Sequence, residues 1–277
     1  MHSLQGEELE AQNKRLQERM SEIKYKILVM SGKGGVGKTT VSVNLAMSLA
    51  NKGYKVGILD TDIHGPNVAK MLGVQGEKMY SHDENTIEPF EVTPNLKAVS
   101  LAFTGNGDDT PIIWRGPLKI SVIKQFLADV NWGKLDYLII DSPPGTGDEP
   151  LTVCQMIPEL TGSVVVTTPQ EVSILDSRKS INFSRQIKVA LLGVIENMSG
   201  YVCPHCGETV DIFGKGGGEA AAKDMDAPFL GRIPIDPGLM QAEDKGVSYV
   251  TTAPDSACSK AISAIVDKID NTLASSK

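Results

Sequence analysis

The chain reads as an α/β protein: a doubly wound, mainly parallel sheet of about seven strands with helices on both faces. Three observations predict it. Short β-branched runs recur as "KILVMS", "KVGILD", "LKAVSL", "YLIID", "SVVVTT", "ALLGVIEN" and "FLGRIPI". Between most of them lie helix-length segments such as "TTVSVNLAMSLANKG", "PLKISVIKQFLADV", "EPLTVCQMIPEL" and "SILDSRKSINFSRQI". Apolar strand, helix, apolar strand is the pattern of a parallel sheet covered on both faces. Finally, the runs are spread evenly over 277 residues, which favours one doubly wound domain over two.

The elements follow in order. Residues 6–24 are charged and free of proline, with Leu9, Leu16, Met20 and Ile23 at helical spacing. They predict an amphipathic N-terminal arm, residues 1–24, packed on a main domain spanning 25–277; binding of a partner is the other use of such an arm. The polar stretch 76–95 lacks helical periodicity and is expected to be a surface loop or a small hairpin. Glycine-rich "FGKGGGEAAAKDM", 213–225, predicts a loop entering a short helix. Ile262, Ile265, Val266, Ile269 and Leu273 predict a C-terminal helix. Its few lysines are balanced by Asp267 and Asp270, so it is expected to pack on the sheet rather than lie on a membrane.

Bulk properties exclude several classes. At 41% hydrophobic and 22% charged residues the chain can bury a full-sized core. A net charge of −7, with no dense run of Lys and Arg, argues against a nucleic-acid partner. No apolar stretch approaches the roughly 18 residues of a spanning helix. The first thirty residues contain no apolar signal segment, so the expected location is the cytoplasm, with no membrane partner. Four cysteines in a reducing compartment lean towards metal or redox roles rather than disulfides.

"SGKGGVGKTT", 31–40, carries the clearest chemistry. Gly32, four residues, then Gly37-Lys38-Thr39 fits the phosphate-binding loop, and it sits between an apolar strand and a helix, as the mechanism requires. Glycines let successive backbone N–H groups turn inwards, and the helix N-terminus adds partial positive charge. Lys38 is expected to reach the β- and γ-phosphates of ATP, and the Thr39 hydroxyl to ligate Mg2+. Asp60 and Asp62 end one strand and Asp141 ends another. Because ligands gather outside the carboxyl ends of such strands, these carboxylates are expected to meet the metal and the γ-phosphate.

The loop holds a second lysine, Lys33, and "GKGGVGKTT" resembles the deviant Walker A motif of the MinD, ParA, ArsA and nitrogenase iron-protein ATPases. The resemblance implies that Lys33 reaches across a nucleotide-sandwich dimer to the partner's phosphates. A cation supplied in trans to a charge-spreading transition state raises the rate strongly, as arginine fingers do.

"NMSGYVCPHCGETVDIFG" presents Cys203 and Cys206 in a C-x-x-C turn, which can offer two thiolates to one metal. A closed zinc site needs four ligands, and a second C-x-x-C is missing. Cys154 and Cys258 fall in helical patterns and are expected to be buried, small and inert. His205 is a candidate third ligand in a strained turn. Two copies of the motif on a twofold axis supply four thiolates, enough for a [4Fe–4S] cluster. A zinc site shared between copies and a redox dithiol remain as alternatives.

The segments "ILDTDIHGPN", "LIIDSPPGTGDEP", "TTPQEVSILD", "GVIENMSGYVCPHCG" and "LGRIPIDP", together with the loop, resemble the Mrp/ApbC-type iron–sulfur carrier ATPases over nearly the whole chain. The resemblance implies a homodimer with weak ATPase activity that assembles a labile cluster on its C-x-x-C cysteines and transfers it to apo iron–sulfur proteins. It implies a nucleotide shell of Gly32, Lys33, Gly34, Gly35, Val36, Gly37, Lys38, Thr39 and Thr40, with Asn197 on the adenine and the turn 234–237 near it. Lys33, Lys38 and Asp62 are then the expected catalytic residues, Asp62 orienting water. Thr39 and Asp141 are expected on the metal side, and Cys203 and Cys206 on the cluster. No cysteine-rich extension and no small domain precede the loop, as in a short prokaryotic form. The competing reading is a MinD- or ParA-like spatial organiser, which has no use for the C-x-x-C and would want a basic helix or surface. A kinase or ligase on this scaffold would need a substrate pocket that no motif marks.

Overall fold

The computed structural model describes residues 2–62, 65–83, 86–104, 116–203 and 205–275. Its strands, in chain order, are β1 (Ile23–Ser31), β2 (Val56–Asp60), β3 (Tyr80–Asp83), β4 (Thr86–Glu88), β5 (Phe90–Thr93), β6 (Leu96–Val99), β7 (Leu135–Asp141), β8 (Gly162–Thr167), β9 (Leu191–Glu196), β10 (Tyr201–Val202), β11 (Thr209–Val210) and β12 (Phe229–Arg232). Eight of them form one sheet in the order β12-β9-β8-β1-β7-β2-β6-β5, while β3 with β4 and β10 with β11 are separate hairpins. Within the sheet every neighbouring pair is parallel except β5 with β6.

The seven parallel strands are the seven apolar runs of the sequence. The eighth, β5, comes with the β3–β4 hairpin out of the polar stretch 76–95. It escapes an apolar reading because its faces are only partly covered, with Glu91 exposed and the remaining residues half-buried.

The helices are α1 (His2–Ser21), α2 (Lys38–Asn51), α3 (Val68–Met71), α4 (Gly116–Ala128), α5 (Asp148–Met156), α6 (Glu171–Gln186), α7 (Gly217–Asp224), α8 (Pro237–Asp244), α9 (Tyr249–Thr252) and α10 (Ala257–Ser275). Successive strand side chains face opposite sides, so β1 and β7 feed two cores at once. Tyr25, Ile27, Val29, Tyr137 and Ile139 join α2 and α10 on one face. Ile23, Leu28, Met30, Leu138 and Ile140 join α4, α5 and α6 on the other. Each such fully buried side chain contributes about 1.5–3 kcal/mol relative to an exposed one.

The N-terminal arm docks by its last turns only. Leu16 and Met20 enter the second core, whereas Leu9 is exposed. Arg15 pairs with Asp129 at 2.9 Å and Arg19 donates to Asn131 at 3.1 Å, fastening the arm behind α4. Ile23, grouped with the arm by spacing, is the first residue of β1 and pairs with Leu135. At the other end, Ile262, Ile265, Val266, Ile269 and Leu273 are all buried under the sheet. Asp270 accepts from Tyr54 Oη at 2.6 Å and Tyr137 Oη at 2.5 Å, fixing α10 in place. Among the described residues no helix is long and apolar enough to cross a membrane.

Candidate nucleotide and thiolate sites

The parallel strands bring their carboxyl ends to one rim. Asp60 of β2 lies in register with Asp141 of β7, and Thr167 of β8 with Glu196 of β9. The loop following β1 stands beside this row, at the crevice where such sheets take ligands.

The phosphate loop is built by close approach. Gly37 caps α2 with φ of 80°, a left-handed conformation that costs a side-chain residue strain, and a Cβ there would lie 2.2 Å from Asn197 Nδ2. A Cβ on Gly32 would lie 2.3 Å from the Asp176 backbone, so α6 packs directly on the loop. Added carbons on Gly34 and Gly35 would meet nothing within 4 Å. That side of the loop is open to a ligand. Asn197 donates from Nδ2 to the Val36 carbonyl at 2.9 Å, which brings it from a distant strand end onto the loop.

Lys38 and Thr39 both meet Asp141. Lys38 Nζ lies 2.7 Å from Asp141 Oδ1, and Thr39 Oγ1 donates to Oδ2 at 2.7 Å. Ser42, one turn along α2, donates to the same Oδ1 at 2.7 Å. The Thr39 hydroxyl and the Asp141 carboxylate form an oxygen donor set that suits a hard divalent cation such as Mg2+. Asp60 is buried beside them, accepting from Ser100 Oγ at 3.1 Å and from the Asp62 N–H at 3.0 Å. Burial, and then the Asp141 charge, push its carboxyl well above the usual range, with Lys38 opposing. Asp60 is thereby biased towards its neutral form beside the Lys38–Asp141 pair. Asp62 is half-buried, and its backbone ties it to Asp60.

Lys33 differs from Lys38. It is half-buried, and its ammonium makes no ion pair among the described residues; only its carbonyl is engaged, accepting from Ser31 Oγ at 2.9 Å. Thr40 turns away from the rim and donates to Glu243 Oε2 at 2.9 Å, while Asn44 donates to Oε1 at 2.9 Å. Burial raises the Glu243 carboxyl to about 7, against those two hydrogen bonds.

Cys203 and Cys206 sit in the turn of the β10–β11 hairpin. The Cys203 N–H donates to the Glu208 carbonyl at 2.9 Å, and the Gly207 N–H to the Cys203 carbonyl at 2.9 Å. Cys203 is half-exposed and Cys206 exposed. Backbone N–H groups of Cys206 and His205, with the Cys206 thiol, hold the Cys203 thiol below its usual range and so favour the thiolate. Among the described residues no group of three or more His, Cys, Asp or Glu side chains is arranged to hold a metal. Cys154 and Cys258 are buried, and burial pushes their thiols up to about 11 and about 12, away from metal chemistry.

The hairpin connects back to the nucleotide side. The Ser199 N–H donates to the Ile233 carbonyl at 2.9 Å, and the Ile235 N–H to the Gly200 carbonyl at 2.8 Å, so the turn 234–237 runs beside the chain leaving Asn197. Three residues here were not singled out from sequence: Ser42, Glu196 and Glu243. Ser42 was findable, because position i+4 from Lys38 shares its helix face. Glu196 lies within the segment "GVIENMSGYVCPHCG" but nothing in its spacing gives it a role, and Glu243 stands in no motif.

Residues 22–270 match the family model described as ParA, NUBPL iron-transfer P-loop NTPase. An iron–sulfur cluster carrier protein of Methanococcus maripaludis is 54% identical over 88% of this chain and 84% of its own. A nucleotide-binding protein of Archaeoglobus fulgidus, solved in complex with ADP, is similar with a TM-score of 0.75 and 40% identity, over 85% of this chain and 92% of that one. The septum site-determining protein MinD of Pyrococcus horikoshii, solved with Mg-ADP, gives 0.66 and 25% over 90% and 97%. A phosphate loop in this rim geometry, and a match over nearly all of the chain, lead to one conclusion: the protein belongs to the NUBPL iron-transfer P-loop NTPase family.

Proposed function

We propose that this protein is an ATP-dependent carrier of iron–sulfur clusters. Two copies hold a labile [4Fe–4S] cluster as cargo on Cys203 and Cys206 of each and hand it to apo-proteins in the cytoplasm. The observation that carries the reading is a family phosphate loop on the same chain as a solvent-open turn offering two thiolates. Two thiolates per chain make half of a cluster's ligand set, and a twofold axis supplies the rest. An exposed cluster held by few bonds suits transfer. The spatial-organiser alternative does not fit: a carrier relative is 54% identical, a MinD structure only 25%.

The nucleotide chemistry belongs to the rim. Backbone N–H groups of 32–40 cradle the phosphates, Thr40 contributing its main chain while its hydroxyl stays on Glu243, and Asn197 reads the base. Lys38 leaves Asp141 to meet the β- and γ-phosphates, and Thr39 with Asp141 would hold Mg2+, which would supply neutralisation of charge on the phosphate oxygens. Asp62 orients the attacking water. Lys33 of each copy reaches the other copy's nucleotide, so hydrolysis waits for the dimer. With so much of the site completed in trans, turnover is slow.

The test is anaerobic reconstitution with iron and sulfide beside a Cys203→Ser/Cys206→Ser variant. About four irons per dimer with cluster absorption, lost in the variant while ATP binding survives, is the expected outcome. Zinc alone, or no metal on an intact dimer, would sink the carrier reading.

A further inference from the structure

Between β9 and α7 the chain leaves the sheet at Asn197, carries Cys203 and Cys206 outwards, and returns at Gly216. Both legs of this excursion are tied at their base to one side chain. Glu196, the last residue of β9, is fully buried. Its Oε1 accepts from Ser199 Oγ at 2.5 Å on the outgoing leg and from the Gly216 N–H at 2.9 Å on the returning leg. Its Oε2 accepts from the Gly218 N–H at 2.5 Å in the first turn of α7. Arg232 Nε, 3.3 Å from Oε1, balances the charge. A buried carboxylate is costly unless it is multiply hydrogen-bonded, and these donors come from both legs and the helix start.

The next residue faces the other site. Asn197 grips the Val36 carbonyl and presses on Gly37, while its N–H is held by the Thr167 carbonyl at 2.8 Å. Two consecutive residues of one strand end therefore hold the phosphate loop and the base of the thiolate excursion. The outgoing leg is further stitched to the chain leaving β12 at Ile233 and Ile235. Around the tip, Val202, Val210, Ile212 and Phe213 are exposed, so the excursion has little packing of its own to fix it.

We infer that Glu196 is the positioning residue through which nucleotide occupancy of the phosphate loop sets the conformation of the Cys203–Cys206 turn. The inference takes its purpose from the carrier reading, though its test does not depend on a cluster. A nucleotide that engages Asn197 changes that residue's hold on Val36. Glu196, adjoining it, passes the change to both legs at once. Coupling of this kind requires a differential contact in the two states, and the Asn197–Val36 bond supplies one.

The experiment is amide hydrogen exchange on the full-length chain, with and without Mg-ATP, for wild type, Glu196→Gln and Ser199→Ala. In wild type, ATP is expected to change exchange over 199–216 by about threefold or more. Glu196→Gln, whose amide nitrogen cannot accept from the Gly218 N–H and which loses the charge facing Arg232, diminishes that change by at least about twofold while leaving the ATP dissociation constant within about twofold. Ser199→Ala, which frees one leg, reduces it. A full response in Glu196→Gln, or no response in wild type, overturns the inference. If Glu196→Gln does not fold, Ser199→Ala decides, and a full wild-type response there overturns it. Failure of the carrier reading shows separately, as wild type that takes up no iron yet still responds to ATP through Glu196.

Discussion

Lys33 and Lys38 lie five positions apart in one loop but occupy opposite electrostatic situations. Lys38 is locked to buried Asp141, so Lys38→Ala is expected to strand that carboxylate and cost about 3–5 kcal/mol of folding stability, read by urea melts. Lys33 has no acidic partner among the described residues, so Lys33→Ala should leave stability and ATP affinity nearly unchanged. ATPase turnover should fall by at least about a hundredfold, as when a cation acting in trans is removed. Equal losses of binding and turnover would place Lys33 on its own subunit's nucleotide. Glu243 carries a pH signature. Its carboxyl sits at about 7 when folded, above its ordinary value, so ionisation opposes folding. That stability is fully present at acid pH and is lost as pH rises from about 4.5 through about 7. Glu243→Gln keeps the shape and can still meet Thr40 and Asn44. It is expected to be more stable than wild type by up to about 3 kcal/mol at pH 8, with under about 1 kcal/mol of difference at pH 5. Melts at those two pH values check the sign.

At the scale of elements, what was legible is what repeats locally. The apolar runs mark β1, β2, β6, β7, β8, β9 and β12 because a strand covered on both faces must be apolar throughout. Edge strand β5 was hidden because it needs only half of that cover. The arm α1 was visible as a helix, yet its spacing ran on into β1, since Ile23 continues the stripe by coincidence. Its docking makes a prediction. Met20 is fully buried, so Met20→Ala should cost about 2–5 kcal/mol in melts. ATP binding should be untouched, because α1 packs on α4 and not on the phosphate loop. A weakened nucleotide affinity in that variant would show instead that the arm supports the rim. The loop and α6 are in contact, however. Gly32→Ala must push the Asp176 backbone aside, and should lower both stability and ATP affinity.

Across the whole molecule, the site was legible in proportion to how much of it is local. Residues 31–40 declare themselves because one strand, one turn and one helix start build the phosphate cradle. Asp141 lies 103 positions from Lys38, and only the rule that ligands gather at strand ends pointed to it. Glu196 carried no such sign, because its partners are backbone N–H groups and a serine brought to it by packing. The same separation in sequence governs how the chain is made. Central strand β1, made before both of its partners, pairs with β7 and β8, so it gains its first hydrogen-bonded neighbour only when residues 135–141 are available and its second when 162–167 are. Asp141 must also arrive before the Lys38 ammonium has its counter-charge. A nascent chain that ends before β7 thus exposes the apolar residues of β1 and has no formed cradle, which makes the interval between the synthesis of β1 and that of β7 the one when this protein most needs shielding from aggregation. Truncated chains stalled before residue 135 should accordingly fail to retain ATP, whereas chains released after β12 should bind it.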